Sequence, residues 1–171
     1  SGTLAHIFVA FMKGPGGIVA DLGGDGISTE CAGVACTHDT VIAGVNGAQG
    51  GKILQRRLAP YPFDCIQEWS IDLAPFQVAA ELSGKEKILS FAADPDHSGI
   101  IGISERGMFT WHETTRELLF FEGFGIHSLG GAENGMIHGI APDGRIYSIT
   151  GNKGIPTVSK GARLNGDFSQ G

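Results

Sequence analysis

Apolar residues in this chain come in short runs, each closed off by Gly, Asn, Asp or Pro. The runs are Ile7–Met12, Ile18–Leu22, Val41–Val45, Lys52–Leu58, Trp69–Leu73, Ile100–Ile103, Met108–His112, Glu117–Phe121, Met136–Ile140 and Ile146–Ile149. Runs of four to seven residues, rich in Val, Ile and aromatics and bounded by turn formers, predict β-strands. The stretches between them carry turn chemistry. Gly14-Pro15-Gly16-Gly17 joins the first two runs, Asn46-Gly47 opens a later connection, and Gly151-Asn152-Lys153-Gly154 closes a hairpin. Such residues supply the positive-φ positions of tight turns, so successive strands are expected to be antiparallel neighbours.

A longer pattern overlies the strands. The phrase is a polar turn, an apolar strand, a second turn, then Gly and another apolar strand. It reads Thr37-His38-Asp39-Thr40-Val41-Ile42-Ala43-Gly44-Val45 leading to Gly51, Asp96-His97-Ser98-Gly99-Ile100-Ile101-Gly102-Ile103 leading to Gly107, and Asp143-Gly144-Arg145-Ile146-Tyr147-Ser148-Ile149 leading to Gly154. Gly51, Gly107 and Gly154 lie 56 and then 47 residues apart, the period of a supersecondary unit rather than of a helix or heptad. The units run roughly over residues 7–52, 53–108 and 109–154, with a partial fourth over 155–171. The second carries an insertion, Pro60-Tyr61-Pro62-Phe63-Asp64, whose prolines keep it out of a ladder interior.

Four strands per unit resemble the blades of a β-propeller. The segment Ala141-Pro142-Asp143-Gly144-Arg145-Ile146-Tyr147 is similar to the Pro-Asp-Gly step between inner strands of many propeller repeats. The resemblance implies an all-β fold: one domain built as a propeller-like array of antiparallel four-stranded repeats. Propellers close with four to eight blades, so three and a half imply completion by oligomerisation, by further chain, or a flatter β arrangement.

Bulk composition agrees with this. Of 171 residues, 28 are Gly, 42% are hydrophobic and only 18% charged, which favours many turns and few long helices. The length suffices for one core that removes roughly 70% of the unfolded surface from water. A net charge of -6, with 12 scattered Lys and Arg, argues against a nucleic-acid partner. No run approaches the ~20 apolar residues of a membrane helix. The chain opens on Ser1-Gly2 rather than Met, which reads as a tag remnant or a trimmed end, so compartment stays open. Cys31, Cys36 and Cys65 read as reduced, partly buried thiols, with a Cys31–Cys36 bridge as the sharper alternative.

The sharpest local motif is Asp94-Pro95-Asp96-His97-Ser98-Gly99-Ile100-Ile101-Gly102-Ile103-Ser104-Glu105. It resembles the twelve-position calcium loop of an EF-hand. Its ligands would be Asp94, Asp96, Ser98, the Ile100 carbonyl and Glu105, because a hard cation takes six to eight oxygens and a coiled loop presents them. Ser83 and Glu86 form a capping-box spacing that would start a helix ahead of it. Against this, Arg106-Gly107-Met108-Phe109 favours a strand where the exiting helix should run, and an ordinary acidic turn is the competing reading.

Six histidines offer other chemistry, since imidazole titrates near neutrality and ligates metals. His127 and His138 flank the Gly130–Gly135 stretch and are the candidates for catalysis; His38 and His97 fall in equivalent turns and are candidates for ligand binding. Trp69 and Tyr61, beside the proline-rich insertion, would give a sugar a stacking surface. Trp111, alternating with Phe109, is expected to pack between repeats. The sequence lacks a GxSxG elbow, a P-loop and a dinucleotide fingerprint. The function expected is therefore a binding module for a glycan, small molecule or protein partner. A metal-assisted propeller-type enzyme and a calcium-stabilised structural domain are the alternatives.

Overall fold

The computed structural model describes residues 4–13, 16–37, 40–57, 75–94, 96, 98–121, 124–152 and 155–164. Among the described residues the chain is all β, with fourteen strands and no helix. Strands β1 (Ile7–Lys13) and β2 (Gly16–Gly23) form a hairpin. Three four-stranded antiparallel meanders follow. The first holds β3 (Glu30–Cys36), β4 (Thr40–Gly47), β5 (Gly50–Arg57) and β6 (Gln77–Glu81). The second holds β7 (Ile88–Ala93), β8 (Gly99–Ser104), β9 (Met108–His112) and β10 (Leu118–Phe121). The third holds β11 (Ser128–Glu133), β12 (Met136–Ile140), β13 (Arg145–Asn152) and β14 (Ile155–Arg163).

Each sheet is laid down edge to edge in chain order, and the first strands β3, β7 and β11 lie side by side. The sheets stack face to face in succession, as blades do, and the array is not closed among the described residues. Three cores fill the gaps. Alternation along β4 sends Val41, Ala43 and Val45 to one face, where they meet Ile7 of β1, and Ile42 to the other. That second face, with Ile53, packs on Phe91, Ile100, Phe109 and Trp111 of the second sheet. The opposite face of the second sheet sends Ile101, Ile103 and Met108 against Ile137, Tyr147 and Ile149 of the third. A central sheet apolar on both faces explains why β8 reads as a continuous run, Ile100-Ile101-Gly102-Ile103, rather than an alternating one. Trp111 is fully buried between the first and second sheets, as its alternation with Phe109 predicts.

The sheets fix a different phase for the repeat than the sequence suggested. Residues 94–98 connect a first strand to a second, whereas Ala141–Gly144 connect a second to a third. The matching second strands are Ile42-Ala43-Gly44-Val45, Ile100-Ile101-Gly102-Ile103 and Ile137-His138-Gly139-Ile140. In each, a larger side chain lies over the glycine: Phe91 over Gly44, Phe109 over Gly102 and Ile126 over Gly139. The turn that follows each ends in a glycine at positive φ, Gly50 at 107°, Gly107 at 150° and Gly144 at 78°. The four-stranded units are thus 30–81, 88–121 and 128–163, each crossing the boundaries read from the phrase spacing.

The helix suggested by Ser83 and Glu86 is not formed. Residues 88–93 are strand β7, in which Ile88 and Phe91 join one core and Ala92 the next. The Glu86 carboxylate is used across the sheet instead, accepting from the Ser104 hydroxyl at 2.5 Å and the Arg106 amide at 3.1 Å. Cys31 and Cys36 are both free thiols at exposed positions of β3, so the bridge between them is absent, while the Cys36 sulfur is still partly desolvated.

Candidate functional site

At one end of the first two sheets, the turns converge. Thr40 begins β4, Gln55, Arg56 and Arg57 end β5, and Gln77 begins β6. From the second sheet come the β7–β8 turn and the Glu113–Glu117 connection after β9. The two ends are tied together by the Thr40 hydroxyl, which donates to Glu113 Oε1 at 2.7 Å. The Glu113 amide in turn donates to the Ser98 carbonyl at 3.0 Å.

A cavity of about 340 Å³ opens at this junction, lined by Thr40, Gln55, Arg56, Arg57, Pro75, Gln77, Glu113 and Arg116. Among the described residues its lining includes three arginines and one glutamate. Arg56 is buried, with its guanidinium carbon 5.6 Å from the Phe76 ring centroid. That stack fixes the planar group while the alkyl stem packs. Arg116 sits at φ 56°, a left-handed conformation that is uncommon for a residue with a side chain, and its amide donates to the His112 carbonyl at 2.8 Å. The turn is therefore held in a particular shape, and that shape sets Arg116 on the cavity wall.

A second cavity, of about 510 Å³, lies on the other face of the second sheet, lined by Asp96, Ser98, Thr110, His112, Thr115, Glu117 and Leu119. Its charged groups are carboxylates. His112 Nδ1 accepts from the Thr114 amide at 3.2 Å. Adjacent residues of one turn thus line different cavities, Arg116 the first and Glu117 the second.

The sequence-predicted residues are distributed differently. Asp94 is buried and spends its carboxylate on the β7–β8 turn: Oδ1 accepts from the Asp96 amide at 3.2 Å and Oδ2 from the Ser98 hydroxyl at 3.3 Å. Ile100 lies within β8, and Glu105 follows the far end of that strand, pairing with Lys87 through both its amide and its carboxylate. A strand at ~3.3 Å per residue puts Glu105 roughly 20 Å from the Asp94–Ser98 turn. The five residues therefore do not form one coordination shell, because Gly99–Ser104 extend as a strand and do not coil. Among the described residues no group of three or more His, Cys, Asp or Glu is placed to hold a metal.

His127 and His138 are also apart. His127 precedes β11 and donates its amide to the Ile140 carbonyl at 3.0 Å, while His138 is exposed on β12 opposite Ser148. The ladder places His127 three residues along from His138, roughly 10 Å at the usual strand rise. His127 Nδ1 is buried without a hydrogen-bond partner among the described residues. Tyr61, Trp69, His38 and His97 lie outside the described residues. The arginines of the first cavity were not singled out from sequence. The available signal was the Arg56-Arg57 pair ending a strand just before the proline-rich insertion, but Arg116 is far along the chain and only the stacking of sheets brings it near.

No family model matches the chain, and no curated protein matches it. Among solved structures it is similar to a chain of PorZ, described as an essential bacterial surface component of the type-IX secretion system of Porphyromonas gingivalis. The identity is 16% and the TM-score 0.46, over 82% of this chain and 18% of that one. The chain thus spans less than a fifth of the length of PorZ.

Proposed function

We propose that this chain is a ligand-binding β-repeat module, its three sheets being blades of a propeller-type array. The ligand site is the cavity between the first two sheets. The observation that carries this reading is the convergence of separate segments (Thr40, Gln55–Arg57, Pro75 and Gln77, Glu113 and Arg116) on one cavity of about 340 Å³ lined mainly by hydrogen-bonding groups. Pockets of this size with a few convergent polar groups are where small ligands bind. The cavity sits at a turn end, where sequence varies without cost to the sheets, which is how one scaffold carries different specificities. A polar, hydroxyl-bearing molecule of sugar size suits its glutamines, threonine and arginines.

The test is ligand-observed NMR with a panel of monosaccharides, amino acids and small acids, run on this chain and on Gln55→Trp, which fills the cavity from a half-buried wall position. Saturation transfer to one class of compound, lost in the variant while its melting curve stays intact, supports the reading. Transfer that persists in the filled variant places binding elsewhere and overturns it.

A further inference from the structure

We propose that the hairpin β1–β2 is the second half of a further four-stranded sheet, and that a second copy of this chain completes it by pairing its own β1 along the free edge of β1. Strand positions carry the first step. The stretches leading from a fourth strand to the next first strand are 82–87 and 122–127, six residues each, and 24–29, between β2 and β3, is also six. Their backbone ties match as well. The carbonyl of the fifth residue, Glu86, accepts from the Gly51 amide of β5 at 2.7 Å, and that of Ser28, the fifth residue of 24–29, accepts from the Ala5 amide just before β1 at 2.9 Å. The first residue, Leu82, donates to the Gly51 carbonyl at 2.9 Å, and Gly24 abuts the Ala5 carbonyl in the corresponding place. Strand β2 thus stands where a fourth strand stands and β1 where a third does. Among the described residues no first or second strand pairs with β1.

The face beneath the absent strands is open. Ile7, at the start of β1, shares a core with Val41, Ala43 and Val45 of β4, each at most 1% exposed. Opposite these three on β3 lie Cys36, Val34 and Cys31, on the same side of the sheet. All three are exposed, Val34 to 43%. On the second sheet the first strand is covered instead: Ile88 and Phe91 of β7 are buried in the core shared with the first sheet. The hairpin therefore covers β4 and stops short of β3, leaving a stripe that the two absent strands would close over.

The composition of β1 says what kind of neighbour it takes. Ile7-Phe8-Val9-Ala10-Phe11-Met12 is an unbroken apolar run, with the one charge, Lys13, at its end. Outer edges elsewhere are short or interrupted: β10 has four residues, β6 has five and ends in Glu81, and β14 carries Pro156, Lys160 and Arg163. Those devices keep an edge from pairing with another chain, and β1 has none of them before its last residue. Backbone pairing with an added strand is what such an edge accepts. A second copy matches the count, because its hairpin brings two strands, with an edge of equal length and the same uncharged character. The contact is self-complementary, so it closes as a twofold dimer.

The experiment is light scattering of the intact chain over a dilution series, with amide hydrogen exchange at both ends of the series. The expected result is a species of twice the chain mass that dissociates on dilution. All β1 amides are then protected in the concentrated sample, whereas alternate ones, those pointing away from β2, exchange fast in the dilute sample. Alkylation of Cys31 slows by at least about tenfold in the dimer, since a strand then covers β3. Val34→Lys, at an exposed position, keeps the folded spectrum and stays monomeric, because a charge on the stripe resists burial. A monomer at every concentration overturns the proposal; if its β1 amides are all protected, the edge belongs to another segment of this same chain. A dimer whose alternate β1 amides still exchange fast, or that Val34→Lys leaves intact, overturns it too.

Discussion

Asn46 and Ile88 exchange two hydrogen bonds across the junction of the first and second sheets. Asn46 Nδ2 donates to the Ile88 carbonyl at 2.8 Å, and the Ile88 amide donates to Asn46 Oδ1 at 2.9 Å. A side-chain amide on β4 thereby stands in for a neighbouring strand at the first residue of β7. Both groups are buried, so neither has water as an alternative. A parallel tie joins the second and third sheets, where the Leu129 amide donates to the Ser90 hydroxyl at 2.9 Å. The angle between sheets, and with it the cavity, depends on such contacts as well as on the apolar cores.

Asn46→Leu leaves the Ile88 amide and carbonyl without partners in a dry junction. The expected loss is about 2–4 kcal/mol in urea denaturation, more than removal of an exposed hydrogen bond costs. A loss under 0.5 kcal/mol (the ordinary range for surface changes) would show that the pair does not hold the sheets together.

Gly102→Ala tests the glycine shared by the second strands. A Cβ there would sit 2.1 Å from Cζ of Phe109, whose ring is fully buried and also tilts against Phe120 with centroids 5.9 Å apart. Overpacking of this kind costs about 1–3 kcal/mol. The double variant with Phe109→Leu should lose less than the sum of the two single losses; strict additivity in the melts would contradict the proposed clash.

Asp25 gives the pH dependence. Burial alone would raise its carboxyl, but the Ser28 and Ile27 amides at 2.8 and 3.1 Å, the Ser28 hydroxyl at 2.7 Å and the nearby Lys52 outweigh it, and the group lies below the usual value of 3.8. A depressed carboxyl contributes stability that is present above its unfolded pKa and lost as pH falls through its folded one. Asp25→Asn should therefore lower the melting temperature at pH 7, and the gap to the parent should narrow below pH 4. A gap that is constant between pH 7 and pH 3 would mean that the charge of Asp25 contributes nothing.

Cys36 provides a chemical readout of β3. Burial raises its thiol above the ordinary 9.0, so less thiolate is present near neutrality. Alkylation of Cys36 at pH 8, followed by peptide mass spectrometry, should run slower than that of a free peptide thiol and accelerate beyond pH 9. Equal rates would place the sulfur in open solvent.

The strands legible in the sequence and those missed differ by position. Central strands β4, β5, β8, β9, β12 and β13 all appear as apolar runs because both their edges are paired and at least one face of each packs in a core. The missed strands are β3, β6, β7, β11 and β14, all at sheet edges. Segments such as Glu30-Cys31-Ala32-Gly33-Val34-Ala35-Cys36 and Ser128-Leu129-Gly130-Gly131-Ala132-Glu133 are rich in small or polar residues. Close approach of neighbouring first strands suits small residues, as at Gly33, where an added Cβ would meet Phe91 at 2.9 Å. That removes the hydrophobic signal on which strand recognition depends.

What the sequence by itself determined was the class of structure: short β-favouring runs, frequent turn residues and a recurring glycine phrase leave an antiparallel all-β array as the consistent outcome. Its phase was decided in three dimensions, since a turn before a second strand and a turn before a third are alike in composition and only pairing tells them apart. The twelve-residue acidic phrase shows the same limit. Asp94 and Glu105 fit a coiled loop by spacing, but burial of Ile100, Ile101 and Ile103 on the two faces of one sheet pulls the segment straight and separates its ends. The cavity reverses that relation. Arg56 and Arg116 are distant in sequence with no local pattern joining them, and they line one site because the stacking of two apolar sheet faces brings the ends of their strands together.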